Sequence, residues 1–128
     1  MGAGTSIGRV RGLGSAHEGA HHWLIQRTTA IGNLVLMSWL LASFVMLDSF
    51  DHATVAGWLS QPIAAVPMML LIVSLFYHAR LGLQVMLEDY VHNTGSRYAL
   101  LSALNLLAIG GGAFAIFSVA RLALTGTA

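Results

Sequence analysis

The chain lacks cysteine and lysine altogether, and among its 128 residues it has only two prolines and five acidic residues. Each shortage excludes something. Without cysteine there is no disulfide frame, no thiolate metal site and no thiol nucleophile. Six scattered arginines and a net charge of +1 make no basic stripe, so no nucleic-acid partner is expected. Charged residues are 9% of the chain, against roughly 25% in soluble domains. Hydrophobic residues are 56%, and the mean hydropathy is +0.73. So few charges cannot coat a water-exposed surface, which points to the membrane class and a lipid bilayer as the solvent.

What is present instead is a set of uncharged runs. They are Thr28 to Leu47 (twenty residues), Ala53 to Tyr77 (twenty-five) and Tyr98 to Ala120 (twenty-three). About 20 mainly apolar residues cross the hydrocarbon core as a helix. A backbone in lipid has to satisfy its own hydrogen bonds, so each run is predicted to be helical. The expected fold is all-α: a transmembrane three-helix bundle over 28–128, with helices about 28–48, 60–90 and 97–123, behind an N-terminal arm at 1–27. Pro62 and Pro67 suit the early turns of the second helix, because proline donates no N–H.

Arg9, Arg11, Arg27, Arg80 and Arg97 fall on one side of such a bundle, and Arg121 alone on the other. The N-terminus is therefore expected to be cytoplasmic, with Trp23 and Trp58 in the interfacial belts. The glycine-rich tail has no apolar core long enough for a signal peptide. Its first residues match the short N-myristoylation pattern, which small residues also fill by chance. Ala108, Gly110, Gly111 and Gly112 allow close helix packing, either within this chain or against another membrane subunit. Asn33 and Asn105 are expected to hydrogen-bond between helices.

The residues with chemical potential cluster at the end of the second run. His78, Gly82, Val85, Asp89 and His92 are spaced four, three, four and three, which is one face of a helix. At 1.5 Å per residue, His78 lies roughly 18 Å from Tyr90 along the axis. The imidazole then sits in the apolar zone, and the Asp89–Tyr90 pair near the cytoplasmic interface. An ionisable residue inside a span faces a protein interior, a cofactor or a partner. Two readings stay open for His78: an axial ligand of haem iron, with Gly82 leaving room for the macrocycle, or a histidine bonded to a neighbouring helix. In the haem reading the second axial histidine has to come from another subunit, since His17, His21, His22, His52 and His92 all lie at other depths. Asp89 and Tyr90 are either a helix end with a belt tyrosine, or a quinone-binding pair. Arg27 is either a charge anchor or a partner for a haem propionate. The His17, Glu18, His21, His22 cluster has metal-ligand spacing, but Gly19 beside it makes solvated histidines the simpler reading.

The segment His-Ala-Arg-Leu-Gly-Leu-Gln-Val-Met-Leu-Glu-Asp-Tyr-Val-His, residues 78–92, resembles the second-helix signature of the D-type membrane anchor of succinate dehydrogenase, respiratory complex II. The matching positions are His78, Gly82, Val85, Asp89 and Tyr90. Residues 14–36 resemble the same family's entry into its first helix, through His21, Trp23, Arg27, Thr29 and Ala30. Where several relatives have an acidic residue after the first histidine, this chain has His22.

The resemblance implies a hetero-oligomeric anchor, and the short N-terminal arm, with no obvious presequence, favours a bacterial inner membrane over a mitochondrial one. The anchor's partners would be a C-type cytochrome b anchor subunit, an iron–sulfur subunit and a flavoprotein subunit. It implies His78 as one axial ligand of a shared haem b, Arg27 and His21 at the propionates, and Tyr90 with Asp89 at a ubiquinone site. FAD and the Fe–S clusters would belong to the partner subunits only. A quinol:fumarate reductase anchor has the same plan, and only the potential of the preferred quinone separates the two. A purely structural membrane adaptor without haem is the rival from another class. A transporter subunit would need a polar track, and the far halves of all three runs are almost wholly apolar.

Overall fold

In a computed structural model, residues 17–125 are described, with side chains from residue 19 onward. The arm bearing Arg9, Arg11 and the myristoylation pattern lies outside the described residues, as do the side chains of His17 and Glu18. Four helices follow one another: α1 (His17–Val45), α2 (His52–Leu59), α3 (Pro62–Tyr90) and α4 (Thr94–Thr125). No strand occurs among the described residues. Three of the helices, α1, α3 and α4, are long and apolar enough to cross a membrane. The protein is an all-α, multi-pass membrane protein.

Helix α1 begins well before the uncharged run that was expected to open it. Charge ends the lipid-crossing part of a helix, not the helix itself, and one glycine costs only about 1 kcal/mol. The backbone therefore stays helical through Gly19, and Arg27 sits inside α1 rather than at its start. The first connection also differs from a plain loop. Asp51 takes the extended conformation of an N-cap, and its carboxylate accepts from the Thr54 N–H at 3.3 Å. The Ser49 hydroxyl donates to the same carboxylate. These bonds, with the Ser49 one foremost, hold the Asp51 carboxyl below its usual value. They launch α2, whose Trp58 stacks on Trp39 of α1 at 5.7 Å between ring centroids.

Helix α3 starts with Pro62 in its first turn, where a missing N–H costs nothing, and carries Pro67 a turn later. Its 29 residues span about 43 Å, against an apolar core of about 30 Å. It stops at Val91, which is extended, so Asp89 and Tyr90 close the helix rather than lie in a loop. Only residues 91–93 remain before α4. Asn93 caps α4, its side-chain oxygen accepting from the Ser96 N–H at 3.0 Å.

Helix α3 packs against both α1 and α4, and the Cα traces of α1 and α4 nowhere come within 8 Å of each other among the described residues. The three spans form an open bundle centred on α3. Among the described residues only Ala56, Leu59, Ala64, Ala65, Leu71, Leu81 and Val119 are buried hydrophobics, and long apolar side chains such as Leu34, Leu106 and Phe117 stay exposed. Such helices, apolar all round, bury their outer faces in lipid or in other subunits.

The α3–α4 seam depends on small residues. On α4, Gly111 and Gly112 receive the Phe76 ring of α3. A Cβ on Gly111 would meet that ring at 2.8 Å, closer than real contacts allow. Gly111→Ala is expected to cost about 1–3 kcal/mol by overpacking, read as a lower thermal midpoint for detergent-solubilised protein. Gly110→Ala, where nothing lies within 4 Å, is the neutral control.

Candidate functional site

The antiparallel α1–α3 seam carries the site. Gly32 lies beside Ser74, Thr29 beside His78, and Gln26 beside Gly82. Steps of three along α1 meet steps of four along α3, the ridge-and-groove match of left-handed bundles. The seam therefore stays in register for two turns and brings each polar pair together at one level.

His78 is half-buried in this seam, one turn beyond Ser74. Its Nδ1 lies 3.0 Å from the Thr29 hydroxyl oxygen. That oxygen also lies 2.9 Å from the Ile25 carbonyl and 3.1 Å from the Gln26 carbonyl. The Ser74 hydroxyl donates to the Thr29 carbonyl at 3.4 Å. Nε2 of His78 has no hydrogen bond among the described residues.

Toward the end that carries the start of α1 and the end of α3, the seam opens into two grooves. One, of ≈ 680 Å³, is lined by Trp23, Gln26, Arg27, Gly82 and Val85 together with other residues. The Arg27 guanidinium sits 5.5 Å from the centre of the Trp23 ring, a cation–π contact one helical turn long. A Cβ on Gly82 would touch only the end of the Gln26 side chain, at 3.5 Å. The Gln26 Oε1 is buried without a partner. The second groove is lined by His21, Ile25, Tyr77, Arg80 and Leu81, among others. His21 and Arg27 thus line different grooves, while His22 and Gln84 reach both.

Asp89 and Tyr90 end α3 in the open, with Tyr90 80% exposed. Neither makes a side-chain hydrogen bond among the described residues. Glu88 instead accepts from Gln84 at 2.9 Å. No group of three metal-ligating side chains occurs among the described residues. His21 and His22 are present, but the rest of the expected histidine cluster, His17 and Glu18, lies outside the described side chains.

The two membrane amides behave differently. Asn105 of α4 accepts a hydrogen bond from the Arg80 side chain of α3. Asn33 does not pair: its Oδ1 is buried with no partner among the described residues. The expectation of an interhelical bond for Asn33 is therefore corrected, because α3 passes beside it, with Ser74 against Gly32, but the Ser74 hydroxyl bonds the Thr29 carbonyl instead. Arg80 was read as a charge anchor alone, and its clamp on Asn105 has no signal in spacing along one helix. Thr29 was visible only as a position in a resemblance, and its place opposite His78 follows from the register between helices.

Comparison with known proteins bears on the same residues. Residues 1–117 match the model of the family described as succinate dehydrogenase/fumarate reductase transmembrane subunit. The chain is 38% identical over 106 residues to the succinate dehydrogenase hydrophobic membrane anchor subunit of Rickettsia bellii, covering 82% of this chain and 84% of that one. It is 33% identical, with the same coverage, to the protein of that name from Rickettsia conorii. With the one from Coxiella burnetii it shares 30% identity over 101 residues, 75% of this chain and 84% of the other.

Proposed function

The chain belongs to the succinate dehydrogenase/fumarate reductase transmembrane subunit family, and from that premise we propose that it is the D-type anchor of a succinate:quinone oxidoreductase in a bacterial inner membrane. It supplies one axial ligand of a shared haem b, His78, and part of the ubiquinone-reducing site. The N-terminus and the α3–α4 turn face the cytoplasm. The observation that carries this reading is His78 itself: an imidazole held by one nitrogen in a membrane seam, with the other free of any protein partner among the described residues.

The surrounding residues fit a haem. Neutral imidazole is a good iron ligand. Gly82, one turn along, leaves a shallow side open to a flat ring. Arg27, steadied on Trp23, offers a cation for a propionate in the same groove as Gly82. His21, in the other groove, has the weaker claim to a propionate. When bound between two axial histidines, haem supplies one-electron transfer and no open site for oxygen. The second histidine comes from the C-type anchor subunit. FAD and Fe–S clusters sit in the flavoprotein and iron–sulfur subunits, since a chain without cysteine holds no such cluster.

At the end of α3, Tyr90 donates its hydroxyl to a quinone carbonyl, and Asp89 beside it orders the site or passes protons. The quinone is thereby positioned at the membrane edge, where electrons and protons both have access. The open faces of the α1–α3–α4 bundle are those that a second anchor covers.

Affinity purification of this chain from its own membranes tests the reading. Haem b, a second hydrophobic chain and two cysteine-bearing soluble subunits are expected to co-purify. Isolation with neither haem nor a second hydrophobic chain sinks it. Arg27→Leu is expected to shift the haem midpoint potential while leaving ubiquinone reduction close to normal, checked by redox titration beside turnover. An unaltered potential removes Arg27 from the haem.

A further inference from the structure

We infer that Thr29 is a positioning residue that fixes the tautomer of His78, placing the proton on Nδ1 and leaving the Nε2 lone pair for a ligand. The inference rests on the haem reading above and deepens it.

The argument is a count of protons. The Thr29 hydroxyl carries one hydrogen. Two backbone carbonyls of its own helix stand in reach, Ile25 at 2.9 Å and Gln26 at 3.1 Å, the back-bonding geometry usual for threonine in a helix. A hydroxyl that donates there turns its lone pairs outward, toward His78 Nδ1 at 3.0 Å. Nδ1 then has to be the donor, and its N–H is satisfied.

The opposite tautomer fails the same count. If Thr29 donates to Nδ1, the proton of the neutral ring sits on Nε2. Nε2 has no acceptor among the described residues and is open to the outside of the chain. At the level of an apolar span lipid offers it no acceptor either, so an unpaired N–H there carries a desolvation penalty. The Nδ1–H form satisfies every donor, so it is the resting form of the ring. It is also the form in which Nε2 bears a lone pair.

The backbone holds Thr29 at this level. Ser74, one turn before His78 on α3, donates to the Thr29 carbonyl at 3.4 Å. Its neighbour across the seam is Gly32, where an added Cβ would stand in ordinary contact with that serine at 3.6 Å. Ser74 and His78 therefore grip one residue of α1 by its carbonyl and its hydroxyl. The ring is fixed in rotation as well as in protonation.

A donor on the far nitrogen with a good acceptor makes an imidazole more basic at its metal-binding nitrogen, and such outer partners are typically worth 10–100-fold in affinity. Stronger electron donation favours ferric iron. Removing the acceptor is then expected to raise the haem potential and loosen the haem.

The test uses the whole purified complex with Thr29→Val, Thr29→Ala, Thr29→Ser and His78→Ala. Readouts are the midpoint potential, the largest g value of the ferric low-spin signal, and the rate of haem loss to a soluble haem acceptor. Thr29→Val keeps the shape and loses the acceptor. It is expected to retain a low-spin spectrum, raise the potential, displace the g value and speed haem loss roughly 10–100-fold. Thr29→Ala, which cannot overcrowd the seam, is expected to do the same, so a valine variant that fails to assemble leaves the measurement intact. Thr29→Ser is expected to restore all three values.

Alanine and valine variants that match the parent overturn the inference. So does a serine variant as perturbed as the alanine one, which would assign Thr29 to packing. A spectrum unchanged by His78→Ala overturns the haem reading, and the inference with it. Loss of the low-spin signal in His78→Ala beside silent Thr29 variants overturns the inference alone.

Discussion

Complexes carrying His78→Ala are expected to lose the six-coordinate, low-spin b-type haem signature, measured as a reduced-minus-oxidised spectrum normalised to flavin. Among the described residues there is no substitute ligand at that level. His21 and His22 line grooves with Leu81 and Gln84, nearer the C-terminal end of α3. His52 opens α2 at the other end, and His92 lies beyond α3. The Thr29 hydroxyl retains its bond to the Ile25 carbonyl after the change, so the seam keeps its own hydrogen bonds. The lost imidazole leaves a cavity, which weakens the α1–α3 contact by a few kcal/mol at most. Loss of the spectrum without loss of the subunits therefore isolates ligation from folding. An unchanged spectrum restores the plain alternative, a membrane adaptor in which His78 is only a hydrogen-bonding residue. Succinate oxidation with a soluble acceptor is expected to persist in either case, because the flavin is proposed to lie in another subunit.

The parts of this molecule legible in one sequence are those governed by solvent and by periodicity. Lipid demands apolar length, so α1, α3 and α4 announce themselves as uncharged runs. The face from His78 through Gly82 and Val85 to Asp89 follows from 3.6 residues per turn, and α3 runs unbroken through all four. The helix ends are less legible. Apolar runs mark where lipid begins, and α1 extends further because nothing in residues 17–27 breaks a helix. Helix α2 hid inside what reads as a connection, since its start depends on Asp51 acting as a cap.

What lies between helices was not legible at all. The pairing of Thr29 with His78, and of Arg80 with Asn105, depends on which residue stands at which depth on another helix. Nor does spacing along one helix say that α1 and α4 stay apart. Nor does it say that the Asn33 oxygen is buried with no partner among the described residues. The groove with Arg27 and Gly82, and the separate groove with His21, likewise emerge only from how two helices meet.

Tyr90→Phe is expected to lower ubiquinone reduction roughly 10–100-fold, while succinate oxidation by a soluble acceptor stays at the parent rate. A hydrogen bond to a group gaining charge contributes about 1.5–3 kcal/mol, and each 1.4 kcal/mol is a factor of ten in rate. The phenol suits that task by position. It ends α3, it is 80% exposed, and no other group among the described residues occupies its hydroxyl. The helix stops at the extended Val91, so the ring stands beyond the apolar length of α3, where the proposed quinone head would meet protons from water. Phenylalanine keeps the ring and its apolar contacts, so the loss reports the hydroxyl and not the packing. The haem spectrum is expected to be unaltered, since His78 lies about 18 Å away along the helix. Equal loss of quinone-dependent and soluble-acceptor activity would instead trace the defect to assembly, and Tyr90 would have no place at the quinone.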